Sequence, residues 1–433
     1  MLNKIAVLIN GIEPIFLSPD NKRGIFVVVL AGTSLEKFVK ANFSVNNIVV
    51  IKPKTKSKKQ LLALIDLLNK TDIAPKLKAK GIKYFVVPHR SSEKIEAWAK
   101  KNKIKLIVTP LTLQQKLENK IYFDNLLKKN KIPSPPTLSA TDLRKSSNAN
   151  LPIVVQEIGS YGLFGTKFYH SAAEYLSLRP KIKNVLIRKY LPEMPAVGVS
   201  IFLDKNGNFF FSGLRLQCFE YESGLPKNFL GIQWLPDEFF SAKINKKLNE
   251  ILKKLVGVLK KEKFRGVANF DLLIGKDKIL ILECNPRLSS ATPQIFGSKK
   301  LTGFDNSWEF YLNIFTGEQV IKVKNNKLPK HNFQGALLDI DVNQAVKVKR
   351  ILPVGWYSFE NNRIKYRGLK LKRSLKNRFF LFHELAKPQA IKHTTLCTII
   401  SDFALFDPHQ AGLNVKGKII YEYFKQSFLG KSL

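Results

Sequence analysis

The residues best suited to chemistry lie together between Asn269 and Arg287, in the run NFDLLIGKDKILILECNPR. Two apolar stretches flank the polar Gly275–Lys278, so the segment predicts a hairpin of two adjacent strands. Antiparallel pairing sets Asp271 opposite the end of the second strand, where Glu283 lies. Glu283 and Asn285 are two residues apart and therefore share a face. That face offers two carboxylates and an amide oxygen, hard donors of the kind Mg²⁺ takes together with nucleotide phosphates, Mn²⁺ being a substitute. Arg287 extends the face, where a guanidinium can neutralise a transferring phosphoryl group. A solvated hairpin end is the simpler alternative. Against it, Glu283 and Asn285 finish an otherwise apolar strand, and buried polar groups need partners.

The hairpin resembles the metal-binding hairpin of the ATP-grasp superfamily, which ends in the same Glu-x-Asn-Pro-Arg pattern. The resemblance implies that Asp271, Glu283 and Asn285 hold one or two Mg²⁺ ions bridging the phosphates of ATP. It also implies that Arg287 faces the phosphoryl group and an incipient acyl phosphate. Three further stretches fit. Asn119-Lys120 opens a helix that leads to Lys131-Ile132-Pro133-Ser134-Pro135, similar to the family's lysine-started helix and its proline exit. Lys120 would then reach the nucleotide phosphates. Next, the strand Leu151–Gln156 leads to the glycine-rich Gly159–Lys167, where backbone amides can approach phosphate oxygens. Thr166 between Gly165 and Lys167 rules out a P-loop. The stretch resembles the loop, here with Gly162 and Gly165, that closes over ATP. The preceding strand usually ends in a lysine; this chain has Gln156, and Lys167 is the basic substitute from the loop. Finally, Asn184–Glu193 resembles the hinge strand that reads adenine through its main chain. The matching positions are Lys189 and Leu191, with Glu193 as a ribose partner and Arg188 where the family often has glutamate.

These groups need elements to position them. Between residues 1 and 112, apolar strands at Ile5–Leu8, Ile25–Leu30, Ile48–Ile51, Tyr84–Val87 and Leu106–Val108 alternate with helices around Lys58–Asn69 and Glu93–Lys101. That alternation predicts a parallel, Rossmann-like α/β layer, and no GxGxxG follows its first strand. A helix over Gln114–Lys129, apolar at Leu117, Ile121, Leu126 and Leu127, ends at the proline cluster. Beyond Leu328 the chain turns strand-like, at Gln334–Val342, Val346–Leu352, Trp356–Phe359 and Arg363–Tyr366, with a last helix over Gly417–Phe428. The expected organisation is α/β overall and α+β in parts. It comprises a Rossmann-like domain (1–112), a two-lobed ATP-grasp domain (113–325) and a separate strand-rich, basic C-terminal module (326–433).

The chain has 433 residues and a formal net charge of +39, from 72 Lys+Arg against 33 Asp+Glu. Such a surface attracts polyanions or acidic substrates, unless the lysines are only a compositional habit on solvated faces. Three cysteines are too few for a disulfide framework or zinc site, and the six histidines lack metal spacing. The N-terminus has no signal-peptide pattern and no stretch is long enough to span a membrane, so a cytoplasmic location is expected. No heptad seam appears, which leaves a homo-oligomer open. The resemblance implies an ADP-forming ligase that activates a small-molecule carboxylate as an acyl phosphate and joins it to an amine, amino acid or peptide. No protein nucleophile is needed, and no Ser/His/Asp or Cys/His set is present. Arg215 is a candidate for holding substrate carboxylate or phosphate; Ser289, Ser290 and Thr292 can shape the acceptor side. Two alternatives stand beside this one: a catalytically impaired protein binding nucleic acid or anionic membrane, and a carboxylase of the biotin-carboxylase type.

Overall fold

The computed structural model describes residues 4–8, 24–53, 64–145, 150–158, 165–178, 184–304, 307–318, 323, 326–342, 344–370, 377–383, 385, 388, 390–391 and 394–430. Its N-terminal layer is a five-stranded parallel sheet: β1 (Ile5–Leu8), β2 (Ile25–Leu30), β3 (Ile48–Ile51), β4 (Tyr84–Val86) and β5 (Lys105–Ile107), in the order β3-β2-β1-β4-β5. Helices α1 (Ser34–Asn42), α2 (Leu64–Lys70), α3 (Ile73–Ala79) and α4 (Glu93–Lys101) connect them. The inner strands are apolar runs buried on both faces, as crossover connections require, while the edge strand β5 leaves Lys105 exposed.

The expected helix over Gln114–Lys129 is two helices, α5 (Leu111–Glu118) and α6 (Lys120–Lys129). Asn119 breaks it: its side chain accepts the backbone N–H groups of Ile121 and Tyr122 and starts the second helix as an N-cap. The turn exposes Ile121 and buries Phe123 instead. The proline exit then runs as a brace. Ile281 donates to the Pro133 carbonyl at 2.9 Å and Leu138 to that of Ile187 at 2.8 Å.

After a short helix α7 (Ala140–Arg144) comes a small antiparallel sheet of β6 (Ile153–Glu157), β7 (Thr166–Tyr169) and β8 (Val185–Lys189), ordered β7-β6-β8, with α8 (Ala172–Ser177) on one side. A large sheet follows. Its first strands are β9 (Ala196–Leu203), β10 (Phe209–Phe211), β11 (Arg215–Glu222), β12 (Leu225–Trp234), β13 (Gly266–Ile274) and β14 (Ile279–Asn285). Helix α9 (Ala242–Lys261) packs beneath them through Ile244, Leu248, Ile251, Leu255 and Leu259, one apolar stripe at helical spacing. On the opposite side, α10 (Thr292–Gly297) and α11 (Ser307–Thr316) contribute to a core of Phe202, Phe210, Trp234 and Phe310 that continues into the N-terminal layer.

The C-terminal strands do not form a detached module. β15 (Ala336–Val342) pairs antiparallel with β12, and the sheet continues through β21, β19, β17 and β18. Their ranges are β17 (Gly355–Glu360), β18 (Arg363–Gly368), β19 (Arg378–Phe382) and β21 (Thr394–Ser401); β16 (Val346–Lys347) and β20 (Ala390–Ile391) pair with each other. Gly231, at φ +147, makes the joint, because a Cβ there would fall 1.9 Å from the Leu337 carbonyl oxygen. The strand expected over Val346–Leu352 is only the two residues of β16. A last helix spans Val415–Leu429. Among the described residues no helix is long and apolar enough to cross a membrane.

Candidate functional site

The hairpin β13–β14 forms in the expected register, with Asp271 directly opposite Glu283. A bulge at this point pairs Leu272 with Ile281 and leaves Leu282 extra. The bulge resolves a conflict in the strand pattern. Ile279 and Ile281 face the core, yet Glu283 and Asn285 must not, so the extra residue switches the face. Cys284 then points to the core. Leu282, Glu283 and Asn285 line one wall of a cleft of about 320 Å³ with Asn269, Asp271, Leu273, Arg215, Gln217 and Arg287.

Polar contacts knit the group together. Asn285 Nδ2 lies 3.0 Å from Glu283 Oε1 and 3.4 Å from Asp271 Oδ2, and Gln217 Nε2 donates to Asp271 Oδ1 at 2.7 Å. Burial, with Glu283 beside it, pushes the Asp271 carboxyl far above the usual carboxylate range. Burial pushes Glu283 the same way, but Lys120 and hydrogen bonds from Asn285 and Asp271 more than offset it, leaving Glu283 below its ordinary value. Two buried carboxylates this close cannot both ionise without a cation. The set suits a hard divalent ion: two carboxylates and an amide oxygen, with no cluster of three His, Cys, Asp or Glu side chains among the described residues.

Lys120, Arg287 and Arg215 flank the paired carboxylates, each held differently. Lys120 opens α6, is 4% exposed, and puts its Nζ 3.0 Å from Glu283 Oε2. Arg287 donates from Nε to Glu118 Oε1 at 2.9 Å and from Nη2 to Asn285 Oδ1 at 3.0 Å. Arg215 is buried and bound by neutral groups: Nη1 to Ser200 Oγ at 3.2 Å and Nη2 to Asn269 Oδ1 at 3.1 Å. Burial lowers its pKa to about 10. The sheet register explains its reach. Glu283, Asp271, Gly198 and Arg215 are successive partners across four neighbouring strands. Gly198 leaves the space over which Arg215 lies; a Cβ there would sit 2.8 Å from its Nε.

No protein-family model matches the chain, nor does any curated protein. Solved structures match it in fold. The biotin carboxylase domain of Hydrogenobacter thermophilus 2-oxoglutarate carboxylase, a dimer in complex with MgADP, ADP and bicarbonate, superposes with a TM-score of 0.61 at 12% identity. The match covers 93% of this chain and 86% of that one. The biotin carboxylase–β-γ-ATP complex from Campylobacter jejuni gives 0.61 at 14% identity, over 92% and 87% of the two chains. Rhizobium etli pyruvate carboxylase gives 0.58 at 14%, over 98% of this chain and 37% of the other. The fold is the ATP-grasp fold.

In ATP-grasp terms the cleft lies between the small sheet and the β13–β14 wall. Gln156 and the hinge residues Lys189 and Leu191 line it; the exposed Glu193 does not. Lys167 is a correction. It pairs with Val155 and so points away from the face carrying Gln156, which Thr166 and Phe168 share. The basic substitute for the missing strand lysine is therefore not Lys167. Gly165 turns the chain at φ +73, and Gly162 lies outside the described residues.

Arg188 shares the cleft face of β6–β8 with Gln156. Its guanidinium donates to Asp124 Oδ1 of α6 at 3.1 Å and to the Leu282 carbonyl at 3.2 Å. Asp124 also binds Lys128 (2.6 Å), Ser134 (2.9 Å) and Thr137 (3.3 Å). The departure at Arg188 is thus matched by a buried acid and by the backbone of the bulged residue.

Asn269 is the residue that sequence reasoning missed. Its Oδ1 accepts from Ser200, Arg215 and Ser289, and its Nδ2 donates to the Arg287 carbonyl. It joins Arg215 to the backbone just beyond β14. The available signal was its place two residues before Asp271, on the same face of an apolar strand.

Proposed function

We propose that this protein is an ATP- and Mg²⁺-dependent ligase that phosphorylates a substrate carboxylate and joins the resulting acyl phosphate to an amine, releasing ADP and phosphate. The observation that carries the reading is the placement of Asp271, Glu283, Asn285, Arg287 and Arg215 on one cleft wall. Mg²⁺, or Mn²⁺ in its place, would be held by Asp271, Glu283 and Asn285, where it would offset the repulsion between the anionic γ-phosphoryl group and the carboxylate.

The chain's own residues do the rest. The main chain at Lys189 and Leu191 meets the adenine edge, with Gln156, Leu273 and Leu282 around the base. Lys120 exchanges Glu283 for phosphate oxygens when nucleotide enters. Arg287 stabilises charge on the moving phosphoryl group, and Arg215 orients the acid. Domain limits of 1–112, 113–325 and 326–433 remain a working division, the last sharing a sheet with the second.

The test is a nucleotide-release screen over carboxylic acids and amines, with amino acids and short peptides first. Turnover should require Mg²⁺, should rise well above the slow cleavage seen with water alone when both partners are present, and should vanish in Glu283→Ala and Asn285→Ala. Retained turnover in those variants sinks the metal assignment. A second reading, in which the acid is bicarbonate, draws on the matched structures, one of which is a complex with bicarbonate. Bicarbonate alone supporting ADP release would favour it.

A further inference from the structure

Arg287 is aimed at the cleft by a residue outside the cleft wall. Glu118 accepts from Arg287 Nε at 2.9 Å through one oxygen and from Arg90 Nε at 2.9 Å through the other. Its side chain is only 8% exposed. It is also the last residue of α5, the negative end of the helix dipole, where a cation is normally preferred. A buried glutamate at that position opposes the local helix preference, so its two guanidinium partners account for its presence. Arg90 follows β4 in the N-terminal layer, so the chain of contacts runs from that layer through α5 to Arg287. Asn119 turns the chain immediately afterwards, which sends Lys120 to Glu283 while Glu118 goes to Arg287.

We propose that Glu118, held by Arg90, is a positioning residue that keeps the Arg287 guanidinium turned toward the phosphoryl site and off the neighbouring carboxylates Asp271 and Glu283. The proposal rests on the nucleotide reading above. Arg287 has five N–H donors; Glu118 and Asn285 take two, and the others stay available to a ligand. Without the charge at Glu118, the nearest acids left to Arg287 are the metal-binding pair, and the guanidinium collapses onto them.

The experiment uses Glu118→Gln, which keeps the shape and one oxygen acceptor, and Glu118→Asp as the conservative variant. The probes are Mg²⁺ with a non-hydrolysable ATP analogue for binding, and Mg·ATP with water as acceptor for single-turnover cleavage. Analogue affinity should stay within about threefold while cleavage slows by roughly 10- to 100-fold, with partial recovery in Glu118→Asp. In an Arg287→Met background Glu118→Gln should have no further effect on cleavage. An equal loss in that background, or no loss in the single variant, overturns the proposal. The Nε–Hε NMR resonance of Arg287 in nucleotide-free protein gives an independent readout. It should shift and lose protection in Glu118→Gln, and an unchanged resonance also overturns the proposal. A wild-type protein that neither binds nor cleaves ATP defeats the nucleotide reading instead, and the resonance then decides the positioning by itself.

Discussion

Replacing Arg188 by methionine removes the buried cation that ties the hinge strand to α6 and to β14. Arg188 and Asp124 are 1% and 4% exposed. Deleting one partner of such a pair costs about 3–5 kcal/mol, because the survivor is left buried and unpaired. Asp124 is not left bare, since it keeps Lys128, Ser134 and Thr137. Arg188→Met should therefore fall below that range, at about 2–3 kcal/mol. The converse change is worse. Asp124→Asn leaves Arg188 with the Leu282 carbonyl and a neutral amide oxygen, and its Nε already has no partner among the described residues. The full cost of about 3–5 kcal/mol is expected there. The double variant should resemble Arg188→Met, so the coupling energy should equal the Asp124→Asn cost, about 3–5 kcal/mol. Global melting reports the whole 433-residue chain rather than this small sheet. Hydrogen exchange of the β6, β7 and β8 amides, read by mass spectrometry, follows the opening of this small sheet directly. Additive losses in the double variant, or unchanged exchange in both single variants, would refute the reasoning.

Gly198→Ala should drive Arg215 from its place, raising the KM for the acid by roughly tenfold or more in steady-state assays while ATP-analogue affinity holds within about threefold. Gln156→Lys sets a second cation on the face that carries Arg188; calorimetry should show no gain in analogue affinity, and a tenfold gain would mark the glutamine as a simple loss. Burial raises the Asp339 carboxyl to about 7, against about 3.9 in an unfolded chain, so the native state holds a proton that the unfolded state releases. Stability should then fall as pH rises from about 4 to about 7, and Asp339→Asn should be neutral at pH 4 but stabilising by about 1–3 kcal/mol at pH 8, measured as shifts in denaturation midpoint.

Much of the scaffold was legible because local pattern determines it. The strands Ile5–Leu8, Ile25–Leu30 and Ile48–Ile51 and the helix Glu93–Lys101 appear with the expected bounds, since short apolar runs and helical periodicity mark them locally. The pairing of Asp271 with Glu283 followed from a hairpin whose turn fixes its register. The failures have a different origin. Asn119 could be counted as a helical residue until its side chain was seen to cap the next helix. The side on which Lys167 emerges depends on the pairing of β7 with β6, which the glycine-rich composition does not encode. The joining of β15 to β12 depends on pairing between strands far apart in the chain, which no local window contains. Asn269 was missed because an amide on an apolar strand has no motif; its importance comes from neighbours on three other segments.

The charges of the cleft, taken pair by pair, indicate what it is built to receive. Lys120 stands against Glu283, Arg287 against Glu118, and Arg188 against Asp124. Each of these cations has an acid of its own. Arg215 differs, for its direct partners are Ser200 and Asn269, and burial makes its charge costly enough to lower its pKa. A divalent cation arriving at Asp271 and Glu283 would release Lys120 to the phosphates without disturbing the other pairs. It would leave Arg215 as the buried positive charge still matched only by neutral groups, one strand beyond Gly198 from Asp271. A buried guanidinium in that position favours an anion close to the metal-binding carboxylates, and its planar fork fits a carboxylate better than a single point charge. The same wall therefore provides for two anions of different kinds. On the proposed reading the phosphates would meet Lys120, released from Glu283, and the acid substrate would meet Arg215, whose hydrogen-bond partners are neutral.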